Sequence, residues 1–237
     1  MTSGFAVWSN GFTLSIMSKP PNQLLQLTVS GESDAWRSVG FELSKSTDGR
    51  ELCRVGEVQI LFEENLLQNG IWRATTQDVH GEIDSLEFGE AAVSLSSDKD
   101  NLVPSTHPNG VSRIDHLVVT TPDCDRTTAA LEANGILVRR VRTFGVAGSE
   151  IRQTFFWLGD VILELVGPET IESEGPALFW GLAFISENIH KTVDYLGDTC
   201  TPLKPAIQPG RKITTIKTRD VGIHSSLAVM SPHIDSV

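Results

Sequence analysis

Two strand-like stretches carry the residues best suited to chemistry. In RIDHLVVTT an imidazole, His116, stands among β-branched residues, and in VILELVGP a carboxylate, Glu164, interrupts an apolar run. Alternate residues of a strand share a face, so His116 falls with Ile114, Val118 and Thr120, and Glu164 with Ile162 and Val166. A carboxylate on such a face is costly unless paired, and an imidazole on an adjacent strand is the obvious partner. Three readings follow. The pair binds a divalent metal with a third donor from elsewhere, best supplied by His224, which shares strand parity with Ala228. It is a metal-free acid and base, Glu164 accepting a proton next to a carbonyl and His116 donating one. Or it only fixes the sheet, as buried ion pairs without catalytic duty do. Phe155, Trp157 and Trp180 read as an aromatic wall of a pocket, with core packing an equal explanation, and Arg152 is taken with them as a substrate contact. Arg139, Arg140 and Arg142 read first as a solvated edge strand, and second as a steering patch for an anion. His80 is uninformative, His190 reads as an exposed helix residue, and His107 and His233 read as solvated.

The elements that must position these groups follow from patterning. Alternation about Asn10-Gly11 predicts an N-terminal hairpin. LLQLTVS, RELCRV, EVQILFE and IWRATTQ read as strands, with a short helix near Asp34 to Val39 and weaker strands at Ile83 to Phe88 and Ala91 to Leu95. The run Ser96 to Gly110 has the composition of a linker. The chain is therefore divided into an N-terminal domain, residues 1–97, a linker, 98–112, and a C-terminal domain, 113–237. Beyond it, RIDHLVVTT is a strand, Pro122 and Asp123 open a helix that Gly135 closes, and ILVRRVRTF is a second strand. Arg152 to Leu158 and Val161 to Val166 form a hairpin about Gly159-Asp160. This is a βαβββ unit. LFWGLAFIS, the helix Glu187 to Leu196, RKITTIKT and SSLAVMSP repeat it about 65 residues later, so the repeat is the architecture. VGEVQILFEE lies on LGDVILELVGPE and LQLTVS on DHLVVT, which makes the first half a degenerate third copy. Gly70 to Ser96 would be a shortened fourth.

Composition sets the outer bounds. The 237 residues carry 19 Lys and Arg against 30 Asp and Glu, a formal charge of -11. An acidic surface of this kind repels phosphate backbones and anionic headgroups, so nucleic acid and membranes are poor partners. Cys53, Cys124 and Cys200 form no CxxC pair, and no export or anchoring signal is visible; a reducing, cytoplasmic setting is expected.

RIDHLVVTTPD, RQTFFWLGDVILELVGP and FWGLAF resemble the vicinal oxygen chelate superfamily, the group of glyoxalases, bleomycin-resistance proteins and extradiol dioxygenases, over roughly Arg113 to Pro232. The resemblance implies an α+β protein whose tandem βαβββ modules form curved mixed sheets around a cavity. It implies a divalent metal (Zn, Fe, Mn, Ni or Mg) held by first-strand and last-strand residues, which carry over onto His116 and Glu164. In the second module the same positions fall on Gly181 and Ala228, and in the Leu24 to Glu64 copy on Gln26 and Leu61, so the ligand set is incomplete. The expected function is a glyoxalase-like lyase or isomerase, metal-assisted or acid and base, acting on a compact oxygenated or carbonyl substrate. The alternative is a protein that sequesters a small antibiotic-like ligand without turnover. Homodimerisation by pairing of modules is part of the same implication.

Overall fold

The structure is a computed structural model and describes residues 22–65, 67–91, 106–171 and 173–233. The expected Asn10-Gly11 hairpin lies outside them, as does most of the strand expected at Ala91 to Leu95.

Two mixed sheets make up the α+β molecule. The first is built from β1 (Leu24–Ser30), β2 (Leu43–Lys45), β3 (Glu51–Val55), β4 (Val58–Glu63), β5 (Gly70–Thr76), β6 (Gly81–Ile83) and β7 (Leu86–Gly89), in the order β2-β3-β4-β1-β5-β7-β6, with helix α1 (Ser33–Ser38) after β1. The second has β8 (Val111–Thr120), β9 (Val138–Phe144), β10 (Ile151–Leu158), β11 (Val161–Pro168), β12 (Leu178–Ser186), β13 (Lys204–Pro205), β14 (Lys212–Thr215) and β15 (Ser226–Met230), in the order β13-β14-β15-β12-β8-β11-β10-β9. Its helices are α2 (Cys124–Ala133), α3 (Ile189–Leu196) and the short α4 (Thr218–Val221). In each sheet a module's first and last strands run parallel, β1 with β4, β8 with β11 and β12 with β15. The first strands of paired modules, β1 with β5 and β8 with β12, run antiparallel at the centre. The fourth module contributes β5, β6 and β7 and has no helix among the described residues.

Local chemistry explains the helix bounds. Asp123 accepts from Arg126 N at 2.9 Å and Asn188 from Lys191 N at 3.2 Å, capping α2 and α3. Gly135, at φ +82°, supplies the left-handed turn that ends the α2 segment. No described helix is long and apolar enough to cross a membrane.

The inner faces of the two sheets share one continuous core. Trp36 of α1 is fully buried and packs against Phe41, Phe62 and, from the second sheet, Phe184. Phe88 of β7 meets Phe179 of β12 edge-on. Truncating a buried aromatic of this kind costs about 3–5 kcal/mol.

The stretch ahead of β8 departs from its linker-like composition. His107, expected in solvent, is buried: its Nδ1 accepts from Glu42 N at 3.0 Å, its Nε2 lies 2.9 Å from Arg54 O, and its ring packs on Phe41. Asn109 donates to Val39 O and accepts from Val111 N. Polar residues here satisfy backbone groups of the α1–β2 connection, of β3 and of β8 itself, a role that composition does not reveal. His190 is exposed, as expected, His80 is exposed too, and exposed His233 lies 3.1 Å from the Arg211 guanidinium.

Candidate functional site

The strand register brings His116 and Glu164 together. β8 and β11 pair in parallel with Ile162 opposite His116 and Glu164 opposite Val118. His116 Nε2 lies 3.2 Å from Glu164 Oε2, and both side chains are largely buried.

A bulge adds a residue that the alternation pattern hides. Ala183 of β12 pairs with His116 and the next residue, Phe184, with Ile114, so Asp115 is an extra residue on β8. Ile114 therefore does not share the face of His116; it joins Leu117 and Val119 in the core. The bulge sets Asp115 beside its neighbour, with Oδ2 2.9 Å from His116 Nδ1. Arg211, almost completely buried, donates to Asp115 Oδ1 at 3.0 Å and to Ser231 O at 2.9 Å. On the other side Gln153 Nε2 donates to Glu164 Oε1, and Arg142 Nε donates to Gln153 Oε1 at 2.6 Å. A continuous polar chain thus runs Arg211, Asp115, His116, Glu164, Gln153, Arg142.

The electrostatics of its two carboxylates diverge. Burial pushes Asp115 up, but hydrogen bonds from His116 and Arg211, with their charges, more than offset it and hold the carboxyl at about 2. Burial also pushes Glu164 up, and there it prevails over the opposing charges of His116 and Arg142. Asp115 is a fixed anion; Glu164 is the carboxyl that readily holds a proton.

The remaining expected site residues divide. Phe155 and Trp157 sit opposite Glu164 and Ile162 across β10 and β11, on the same face as the pair. Trp157 is 40% exposed and carries the Arg139 guanidinium 5.9 Å from its ring centroid. Trp180 is an extra residue between Phe179 and Gly181 in the β12 register and is 53% exposed. Arg152 is not at the pair. It donates to Glu169 from Nε at 2.8 Å and also pairs with Asp125, which ties β10 to the start of α2. Its even position places it with Thr154 and Phe156 on the opposite face from Phe155, which is why it serves packing. His224 is not there either: it precedes β15, is more than half exposed, and its Nδ1 lies 2.6 Å from Glu32 Oε1. Strand parity with Ala228 carries no meaning for a residue outside the strand. Asp115, Arg211 and Gln153 are absent from the sequence reading, and Arg142 stands in it only as a solvated or anion-steering strand residue, not as a partner of the pair; the adjacency of Asp115 to His116 was the one signal for Asp115, and alternation argued against it.

The second module's equivalent positions follow from register. Gly181 pairs with Ser226 as His116 pairs with Ile162, so Ala228 corresponds to Glu164. A Cβ at Gly181 would meet Ser226 O at 2.2 Å, so the backbone there admits no side chain. Among the described residues no three His, Cys, Asp or Glu side chains are grouped to hold a metal ion.

No protein-family model and no curated protein sequence matches the chain. Solved structures do. A triple mutant of 4-hydroxymandelate synthase from Streptomyces coelicolor superposes with a TM-score of 0.61 at 12% identity, over 92% of this chain and 94% of that one. A fusion of a xylose isomerase-like TIM barrel with a 4-hydroxyphenylpyruvate dioxygenase gives 0.60 at 11% identity, over 92% of this chain and 50% of the fusion. BphC, a halotolerant catechol dioxygenase, gives 0.54 at 13% identity, over 93% and 90% of the two chains. At these identities the likeness is one of fold.

Proposed function

On a chain with the vicinal oxygen chelate fold, we propose that His116 and Glu164 are the acid and base of a small-molecule enzyme, a lyase or isomerase that moves a proton next to the carbonyl of a compact oxygenated substrate. The observation that carries this reading is the buried contact of 3.2 Å between His116 Nε2 and Glu164 Oε2, backed by Asp115 on the other ring nitrogen. Ionised Asp115 accepts from Nδ1–H, which leaves Nε2 as the working nitrogen. In the charged pair, imidazolium donates to carboxylate. With a carbonyl compound between them, Glu164 takes the proton from the adjacent carbon while Nε2–H passes to the carbonyl oxygen. The C–H electron pair becomes the double bond of an enol, and the pair ends as neutral acid and neutral imidazole. Reversal with a proton returned to carbon is an isomerisation. Collapse of the enol with its O–H proton going back to His116, and a leaving group on the next carbon taking the Glu164 proton, is a lyase reaction. Phe155 and Trp157 provide apolar surroundings that favour the neutral acid.

The divalent metal that the fold family implies finds two donors here, His116 and Glu164, and no third among the described residues. Gly181 and Ala228 offer none, and His224 is engaged with Glu32. Metal sites with so few protein donors are weak; the donor set does not fit a tightly held ion, and no step above uses one.

The test is exchange of carbon-bound protons. Small ketones, 2-oxo acids and hydroxy acids in D2O, followed by NMR, are expected to include at least one whose exchange the protein accelerates. Glu164→Gln should reduce that rate about 10²–10⁴-fold. Metal analysis of the protein and of His116→Ala runs beside it: a stoichiometric ion lost in the variant would replace the acid and base reading by a metal one. Saturable binding of a compound without any exchange would favour the second reading, a sequestering protein, for which the missing donors at Gly181 and Ala228 speak.

A further inference from the structure

The first sheet has its own cavity, of about 630 Å³, on the face turned away from the shared core. That volume lies within the range of small-ligand sites. Its floor occupies the positions that hold the chemistry in the second sheet. β1 and β4 pair with Gln26 opposite Gln59, as His116 pairs with Ile162, so Gln26 corresponds to His116 and Leu61 to Glu164. Neither an acid nor a base is present at those places, yet the floor is polar. Gln26, Thr28, Gln59 and Thr75 line it, and Thr28 and Thr75 are almost completely buried as residues. No described residue hydrogen-bonds to the side chains of these four.

A cation faces the same space. Arg73 lines the cavity with its guanidinium 4.1 Å from the centroid of the Trp72 ring. Its ion-pair partner, Glu87 Oε1, is 3.7 Å from Nε, beyond hydrogen-bond length, so the buried Arg73 Nε has no hydrogen-bond partner among the described residues. Arg50, by contrast, is held by Asp48 and Glu63. Gly89 keeps the arrangement open. Its backbone has no left-handed twist to demand glycine, but a Cβ there would meet Thr75 Oγ1 at 2.7 Å and the Arg73 side chain at 2.9 Å. A planar guanidinium with unused donors, stacked on an aromatic ring above a floor of amides and hydroxyls, is an arrangement suited to an oxyanion with hydroxyl or carbonyl groups attached.

We propose that the first sheet's cavity is a second, non-catalytic binding site for a small polar organic anion, its carboxylate or phosphate on Arg73 and its neutral polar groups on Gln26, Gln59 and Thr28. The site is independent of His116 and Glu164. The experiment is an NMR titration of the full chain, labelled on glutamine side-chain amides, with malate as the carboxylate probe and glycerol 3-phosphate as the phosphate probe. Saturable shifts of the Gln26 and Gln59 amides with at least one probe are expected. Arg73→Met, which keeps an apolar stem against Trp72, should weaken that binding at least tenfold, and Gln59→Leu should do so by a route that leaves the cation in place. Glu164→Gln should bind as the parent does. The probe that acts identifies the anion class. No shift with either probe, unchanged binding in both cavity variants, or loss of binding in Glu164→Gln would each overturn the proposal; circular dichroism of each variant verifies that loss is not unfolding.

Discussion

At the residue scale, one bulge residue decides how the candidate site works. Asp115 neutralises Arg211 and fixes the His116 ring, and its carboxyl is held at about 2. A carboxyl whose native pKa lies below its ordinary 3.8 stabilises the fold above that value and loses the contribution as pH falls toward about 2. Asp115→Asn strands a buried guanidinium and should cost about 3 kcal/mol. In a chain of this size that lowers Tm by roughly 6–12 °C, measurable by calorimetry. Glu164 has the opposite sign. Its native pKa is raised above the ordinary 4.5, so the folded state holds the proton more tightly than the unfolded one, and stability declines as pH rises through and above that value. Glu164→Gln removes the decline: it should match or exceed the parent in Tm at pH 7 while losing proton exchange. A lower Tm at pH 7 would instead mark the pair as a sheet fastener. Sites that trade stability for chemistry behave in the first way.

At the element scale, the parallel pairing of first and last strands makes every module offer two inward positions, and the sequence then fills or empties them. The module of β8 and β11 holds His116 and Glu164, that of β1 and β4 Gln26 and Leu61, and that of β12 and β15 Gly181 and Ala228. The last pair is closed by backbone, since Ser226 O occupies the place of a Cβ at Gly181. Gly181→Ala should therefore destabilise by roughly 1–3 kcal/mol through overpacking, a shift that urea denaturation would resolve. By the same geometry, Gly181→His cannot restore a metal donor, and metal analysis of that variant should show no gain.

At the scale of the whole molecule, the two sheets are joined by one core. Trp36, Phe41 and Phe184 meet across it, and His107 and Asn109 tie the approach to β8 into the first sheet. A single unfolding transition is expected by both near-ultraviolet dichroism and fluorescence, and a fragment covering 106–237 should be poorly soluble because it bares Leu117, Leu182 and Phe184. Burial first of all, against the opposing pull of Arg54 O and Glu42, lowers the pKa of His107 below 6.5. Its neutral form is what the fold accepts, so that part of the stability is present above pH 6.5 and is lost as pH falls below it. His107→Phe should flatten this region of the pH profile.

How much of this was legible in the residues follows from what each signal is. LLQLTVS and LFWGLAFIS gave strand bounds that the structure reproduces, because an apolar run of strand length is written directly into side-chain type, and both strands are buried along most of their length. The two-residue strand β13, the three-residue β2 and the short α4 carry too few residues to show a period, and they were not anticipated. His116 and Glu164 stood out because a charged or basic group on an apolar strand needs a reason, and their parallel pairing supplies the contact. Arg152 and His224 misled, since a residue's type cannot tell which face or which loop receives it. By itself the sequence determined the βαβββ repeat and the two residues at its centre. Tertiary structure alone decided that a bulge turns Asp115 toward His116, that Arg211, from a turn 96 positions away in the chain, lies against it, and that Gly181 has no room for a donor. Those are matters of register between strands remote in sequence, and alternation along one strand holds no information about them.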